Sequence, residues 1–302
     1  MKIQIIIPVY HPGIKFIQLL KKIKQQTIKN ISVLIIDSGS DGTYKKTLGD
    51  LDADVLKISA TNFNHGGTRQ LGINTYSNKD IYIFFTQDAI LANEFAIEKL
   101  VEAFDDELVG CAYGRQLPHK EANVFAFFAR TFNYPSVGYV RSYKDRKVYG
   151  MKTAFLSNSF AAYRKKAMDD VGGFPNNTIL SEDMYVAAKM LKKGWKVAYV
   201  SDACVYHSHN YTIWQEFKRY FDIGVFHARE KWIGEEFGKS EGEGKKFIVE
   251  EIKYLLKKRF SKIFEMFVRD GMKFLGYRLG LNESFFSNTI KKRISMTTRY
   301  WS

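Results

Sequence analysis

The chain has 302 residues, with 46 Lys and Arg against 32 Asp and Glu, for a formal charge of +14. At 45% hydrophobic and 26% charged it is long enough to bury a sizeable core, which excludes a disordered chain, a collagen-like repeat and a disulfide-stapled miniprotein. Cys111 and Cys204 stand far apart without a C-x-x-C grouping, so they read as buried small hydrophobes in a reducing compartment.

Ile3-Gln4-Ile5-Ile6-Ile7 is too short for a signal-peptide core and runs straight into Pro8, so it reads as a first strand. Phe16, Leu19, Leu20 and Ile23 recur at helical spacing, and residues 32–36 form a second β-branched run. A strand over 55–58, a helix over 68–75 and a strand over 80–85 follow. Near-continuous apolar strands of this kind belong to a parallel sheet covered on both faces. The first third therefore reads as an α/β, nucleotide-binding type of sheet.

A helix over 92–104 and a strand over 109–113 come next. The Phe-rich stretch 123–152 reads as a loop-rich insertion beside a cleft, or equally as one holding a core helix over 124–132. Strands over 157–164 and 196–206 enclose a helix over 182–193 with Met184, Ala187, Ala188 and Leu191 on one face. From about residue 212 the pattern is helical, interrupted by a Gly-, Ser- and Glu-rich break at 238–244.

Residues 239–302 hold 15 Lys and Arg against 7 Asp and Glu, so +8 of the total +14 lies there. Ile248, Ile252, Leu255, Leu256, Ile263 and Phe267 form a stripe beside Lys253, Lys257, Lys258, Arg259 and Lys262. This is either a basic amphipathic helix for an anionic membrane surface or a helix packed on the domain with a solvated basic face. No apolar run approaches the ~20 residues that span a bilayer. Nucleic acid is not expected as a partner, because more than half of the excess charge lies in the last fifth of the chain and no binding motif accompanies it.

Several polar groups fall at predicted strand ends, where a parallel sheet opens into its ligand crevice. Asp37, in Asp37-Ser38-Gly39-Ser40-Asp41-Gly42, either accepts a hydrogen bond from a base or ribose or belongs to a polar turn. Arg69, after Asn64-His65-Gly66-Gly67-Thr68, can neutralise part of a diphosphate at a helix start. Asp88 closes the strand 80–85 and can hold Mg²⁺ or Mn²⁺, or simply cap a turn. Glu182 and Asp183 open a helix, where acids answer the macrodipole, but one of them facing the crevice would be a general base.

His207 and His209 point to one face of a strand end, and without a third nearby ligand the pair is too sparse for zinc. No G-x-G-x-x-G or G-x-x-x-x-G-K occurs, so neither a nicotinamide cofactor nor ATP hydrolysis at a phosphate-binding loop is supported. His11-Pro12-Gly13 after the first strand argues against a nucleotidyltransferase, which wants a Gly-rich loop with Lys or Arg there.

Taken in order, Ile6 to Tyr10, Asp37 to Asp41, Gly67 to Gly72, Thr86-Gln87-Asp88, Gly172-Gly173-Phe174, Glu182-Asp183 and His207 resemble the family 2 inverting glycosyltransferases of the GT-A fold. The wording Phe63 to Arg69, Phe85 to Ala89 and Ser295 to Trp301 is similar to bacterial rhamnosyltransferases that use dTDP-L-rhamnose. The resemblance implies a Rossmann-like, mostly parallel central sheet flanked by helices, with a catalytic domain over 1–230 and a helical, basic carboxyl-terminal region over 231–302. It implies that Pro8, Val9, Tyr10, Asp37, Arg69 and Gln87 contact the nucleotide sugar. Asp88 would bind the diphosphate-bridging divalent cation with help from His207, and Asp183 would be the base.

The usual D-x-D appears here as Thr86-Gln87-Asp88, its first acid replaced. The implied partners are a dTDP-sugar and a saccharide or lipid-linked saccharide acceptor, met in the cytoplasm at the inner face of the membrane. A UDP-sugar donor or a non-catalytic, membrane-associated scaffold are the alternatives.

Overall fold

The computed structural model describes residues 1–49, 51–238 and 241–301. Its first half alternates β1 (Ile3–Val9), α1 (Ile14–Lys24), β2 (Ile31–Asp37), α2 (Lys45–Leu48), β3 (Ala53–Lys57), α3 (His65–Thr75) and β4 (Ile81–Phe85). Then come β5 (Ile90–Leu91), α4 (Ala96–Glu102), β6 (Val109–Leu117), α5 (Val124–Asn133), β7 (Tyr139–Arg141) and α6 (Arg146–Tyr149). β8 (Phe160–Arg164), α7 (Lys165–Val171), α8 (Glu182–Lys192) and β9 (Lys196–Tyr206) complete the sheet layer. The remainder is helical: α9 (Ile213–Arg229), α10 (Lys231–Phe237), α11 (Glu241–Lys258), α12 (Ile263–Leu281) and α13 (Asn288–Ile294).

The strands lie in the order β3-β2-β1-β4-β8-β6-β9-β5, with β7 on β9. β3, β2, β1 and β4 run parallel, β8 enters antiparallel between β4 and β6, and β9 returns parallel to β6. Alternation explains the apolar runs: Ile5 and Ile7 face a core with Phe16, Leu19 and Leu20 of α1, whereas Ile6 faces a second core with Val186 and Met190 of α8. Val9 stands in register with Asp37, so the carboxyl ends of β1, β2 and β4 open on one side.

Among the boundaries that differ from the sequence reading are the starts of α4 and β8, and of the two alternatives for residues 123–152 a helix forms. Residues 90–91 pair with β9, and the Asn93 side chain takes the Phe95 N–H, so α4 starts only at Ala96. Residues 157–159 form a turn before β8. The stretch 123–152 does contain a helix, α5, capped by Asn123 accepting from the Ala126 N–H at 2.8 Å, and that helix also lines a cleft.

The carboxyl-terminal stripe is not one face. The turn at residues 259–262 divides it between α11 and α12; Leu255 is buried with Met266 and Phe125, while Ile248, Leu256 and Phe267 are exposed. Ile233, Phe237 and Trp301 share the core that includes sheet residues Tyr82 and Tyr113, so residues beyond 230 are packed into the α/β body. Among the described residues no helix is long and apolar enough to cross a membrane.

α12 packs along α9 through glycines. A Cβ on Gly280 would lie 2.1 Å from the Phe221 carbonyl oxygen, and one on Gly276 would lie 2.4 Å from that of Phe217. Gly224 of α9 answers with only 2.3 Å to the Tyr277 oxygen. Gly280→Ala is therefore expected to destabilise the chain by about 1–3 kcal/mol, as overpacking against backbone does. Gly271→Ala, placed in open space on the same helix, should be neutral or slightly stabilising. Thermal unfolding of the two variants checks this.

Candidate active site

The ends of β4 and β9 converge at Asp88. His207 Nε2 lies 3.5 Å from Asp88 Oδ1, and His209 Nε2 lies 3.7 Å from Oδ2. The three residues offer ligand atoms all within 4.8 Å of one another. The histidine pair thus has its third group, delivered from the end of β4 and invisible in local spacing.

Gln116 fixes the orientation of His207. Arg130 Nη1 donates to Gln116 Oε1, and His207 Nδ1 lies 2.9 Å from the same oxygen. A guanidinium can only donate, so that atom is the acceptor, and the imidazole carries its hydrogen on Nδ1. His207 Nε2 then turns a lone pair toward an anionic carboxylate, an arrangement that suits a cation between them. One carboxylate oxygen and two imidazole nitrogens fit a divalent metal of the first transition row, and the Gln116 contact is the outer support such ligands use. Burial works against an ionised Asp88, but His207 and His209 hold its carboxyl far below the usual range. Burial keeps His207 down, and burial first, with the neighbouring His207 imidazole second, brings His209 to about 4, so both imidazoles are neutral and available as ligands near neutrality.

Across the cleft, α8 presents Glu182 and Asp183 in different surroundings. Glu182 is buried, pairs with Arg69 Nη1 at 3.0 Å and accepts from Asn158 Nδ2 at 2.8 Å. Asp183 lines the cavity and accepts the backbone N–H groups of Asn158 and Met184 at 3.0 and 2.8 Å. Asn158 Oδ1 in turn accepts from the Tyr163 hydroxyl at 2.6 Å. Burial and the adjacent Glu182 charge push Asp183 up to about 7. For Glu182, Arg69, His65 and Asn158 outweigh burial and hold its carboxyl low. Two neighbouring acids with divided pKa values mark an acid–base site.

The sequence-derived residues divide into two sets. Tyr10, Arg69, Asp88, Asp183 and His207 line one cavity of about 1250 Å³, larger than the usual single-ligand pocket and roomy enough for donor and acceptor together. Pro8, Val9, Asp37 and Gln87 are not among its lining residues. Asp37 is buried and receives the Gly39 and Ser40 N–H groups, the Ser40 hydroxyl and the Tyr44 hydroxyl. Val9 gives its carbonyl to Ser38, and Gln87 bridges both backbone groups of Tyr10. These residues shape the crevice edge and use their polar atoms within it.

Arg69 lies inside the wall; Nη1 serves the His65 carbonyl and Glu182, which favours a supporting role for the acid pair over a diphosphate contact. Gly66 and Gly67 are required for a related reason. A Cβ on Gly66 would sit 1.8 Å from the Pro175 carbonyl oxygen, and one on Gly67 would sit 2.1 Å from Asn176 Oδ1. Arg130, with its buried Nε lacking a hydrogen-bond partner, and the exposed Arg219 line the cavity as well. Sequence reasoning missed Asn158, Gln116, Arg130 and Arg219; the Phe-rich cleft segment was the one hint, for Arg130.

The carboxyl-terminal strap also reaches the site. Buried Asp222 accepts the Met296 and Thr297 N–H groups, both at 3.0 Å, and this holds residues 296–301 against the cleft. Arg299 Nη2 then donates to the Tyr10 hydroxyl at 2.8 Å with its guanidinium 4.6 Å from the Tyr10 ring centre. Arg299→Ala should weaken nucleotide-sugar binding about tenfold while leaving kcat within about twofold, as loss of uniform binding does; calorimetry and initial rates check this.

The family model described as glycosyl transferase family group 2 matches residues 87–251, which includes Asp88, Glu182, Asp183 and His207. The chain belongs to the family 2 glycosyltransferases. It is 46% identical to the O-antigen chain rhamnosyltransferase RfbN of Salmonella typhimurium, over 100% of this chain and 96% of that protein. It is 42% identical to the O-antigen chain rhamnosyltransferase WbaN of Salmonella anatum, over 99% and 95%.

Among solved structures it resembles the mannosyltransferase PcManGT from Pyrobaculum calidifontis in complex with GDP-Man and Mn²⁺, with a TM-score of 0.59, 14% identity and coverage of 99% and 84%. S. aureus TarS 1-349 in complex with UDP-GlcNAc gives a TM-score of 0.56 at 13% identity, covering 94% and 92%. At these identities the likeness concerns the fold, which is of the GT-A type. The enzyme is thus a glycosyltransferase with a mostly parallel sheet, as the motif order implied.

Proposed function

We propose that this glycosyltransferase moves L-rhamnose from dTDP-L-rhamnose, with inversion, onto a hydroxyl of a bacterial surface polysaccharide or lipid-linked oligosaccharide. The observation that carries the reading is the likeness over the whole chain to two O-antigen chain rhamnosyltransferases. The site supports it chemically. Asp183 is the base that takes the acceptor hydroxyl proton, its two oxygens aimed by the Asn158 and Met184 amides. A single carboxylate on the acceptor side suits one displacement and inversion at the anomeric carbon, unlike the flanking pair of a glycoside hydrolase.

Asp88, His207 and His209 would hold a divalent cation, Mn²⁺ in preference to Mg²⁺, which when bound supplies Lewis-acid neutralisation of the diphosphate. Arg130 and Arg219 add positive charge on the same side of the cavity. In this division of labour residues 1–230 carry donor and base, while residues 231–302 complete the cleft and meet the inner face of the cytoplasmic membrane, where lipid-linked acceptors are displayed.

Calorimetric titration with dTDP, UDP, GDP and their sugars, with Mn²⁺, with Mg²⁺ and with chelator, tests the donor. Cation-dependent preference for dTDP-rhamnose is expected; preference for a UDP-sugar would overturn the donor and keep the enzyme class. Product NMR reads the anomeric configuration.

A further inference from the structure

α12 is built inside out for a soluble helix. Its inward face is largely glycine and charge, with Met266 the buried apolar exception: Gly276 and Gly280 touch α9, while Arg269 and Lys273 line the cavity. Its outward face is apolar: Phe264 is 80% exposed, Phe274 66% and Phe267 56%, with Val268 and Leu275 beside them. Positions 264, 267, 268, 271, 274 and 275 fall on one helical stripe, and Gly271 within it meets nothing. Phe260 at the turn and Leu256 on the end of α11 are exposed as well. Exposed aromatic rings in one contiguous patch mark a contact surface.

The charges around that patch say what it contacts. Lys257, Lys258, Arg259 and Lys262 are exposed at one end and Arg278 at the other. The two acids of α12 are held by bases on its flank and inner side, Glu265 by Lys262 and Arg269 and Asp270 by Lys273. An aromatic face rimmed by cations and cleared of free acid complements an anionic phospholipid surface.

We infer that α12 is the membrane-docking helix of this enzyme, lying in the interface of an anionic bilayer with Phe264, Phe267 and Phe274 inserted and the basic corner at residues 257–262 on the headgroups. This deepens the reading above and rests on it for the acceptor being membrane-borne. It also places the cleft: only the width of one helix, about 10 Å, separates the inserted face from the wall at Arg269 and Lys273. An acceptor saccharide carried on a lipid would enter from that side.

The test is sedimentation of the full chain with vesicles of phosphatidylcholine alone and with roughly one-third phosphatidylglycerol. The wild type should partition onto the anionic vesicles. The triple variant Phe264→Ser, Phe267→Ser, Phe274→Ser should lower that partition about tenfold or more while binding nucleotide sugar as the wild type does. Lys257→Glu with Lys258→Glu should lower binding to anionic vesicles alone. Equal partition of wild type and triple variant would overturn the inference. So would failure to bind any vesicle combined with concentration-dependent dimerisation that the triple variant abolishes, which would assign the face to a second copy of the chain. Loss of dTDP-rhamnose binding preference with vesicle binding intact would count against the donor reading and leave the docking helix standing.

Discussion

Asp183→Asn is expected to lower kcat by about 10²–10⁴-fold, the range a positioned general base supplies, with the donor dissociation constant within about twofold of wild type. The amide keeps the size of the carboxyl, and its oxygen can still accept one of the Asn158 and Met184 N–H groups, so unchanged donor binding separates loss of proton removal from collapse of the wall. The wild-type rate carries a second signature. A base must be ionised to work, and burial with the Glu182 charge puts Asp183 up at about 7. The kcat/KM of the free enzyme should therefore rise with pH through about 7 and level off above it.

Glu182→Gln removes the like charge that raises Asp183, so the midpoint of that rise should move to lower pH. A residue that merely held the fold would not move it. The same variant leaves Arg69 buried without its 3.0 Å partner and should cost about 3–5 kcal/mol of stability, which thermal unfolding separates from the kinetic effect.

What the sequence disclosed follows from how local each signal was. The strand–helix alternation was legible because Ile5 and Ile7 on one side and Ile6 on the other are all fully buried, which writes burial on both faces into a short run of letters. Asp88 and Asp183 were legible because a carboxylate at a strand end or a helix start is conspicuous. Asp37 was conspicuous for the same reason, yet its oxygens serve the turn that follows it, and a turn-forming Asp and a ligand-binding Asp look alike in one sequence.

Arg69 shows the converse problem. Its partner Glu182 lies over a hundred residues on, and tertiary contacts such as Gly66 against Pro175 and the Phe174 N–H donating to Gln70 bring the two elements together. Gln116 and Asn158 carry no chemistry of their own, and they matter with Arg130 because β6, the turn before β8 and α5 meet at His207 and Asp183. Such supporting groups are selected by tertiary geometry, and nothing in their neighbours along the chain announces it. The carboxyl-terminal stripe failed as one helix because it was counted through the turn at residues 259–262, and the aromatic face of α12 was masked by that count.

Asp88→Ala should abolish cation-dependent donor binding and lower kcat/KM by about 10³-fold, a loss comparable to removing a principal electrostatic stabiliser. Chelator should reduce the wild type similarly and leave the variant unchanged, because the variant no longer has a cation to lose. Gln116→Leu is the sharper companion test. Gln116 touches neither Asp88 nor His209 among the described hydrogen bonds, but its oxygen dictates that His207 carries its hydrogen on Nδ1. Without that acceptor the imidazole is free to take the other tautomer, with an N–H on Nε2 donating to Asp88, and the neutral pair would then satisfy itself with no metal.

The expected outcome is a 10- to 100-fold loss of cation affinity, the usual effect of removing an outer-shell partner, with rate recovered at high Mn²⁺. Direct titration of Mn²⁺ by electron paramagnetic resonance reads that affinity without turnover. Cation affinity unchanged in Gln116→Leu would mean that His207 is not a ligand and that Asp88 and His209 carry the cation alone. A loss that high Mn²⁺ does not recover would mean that Gln116 is required in a further way, by positioning Arg130 over the cleft through the bond they share.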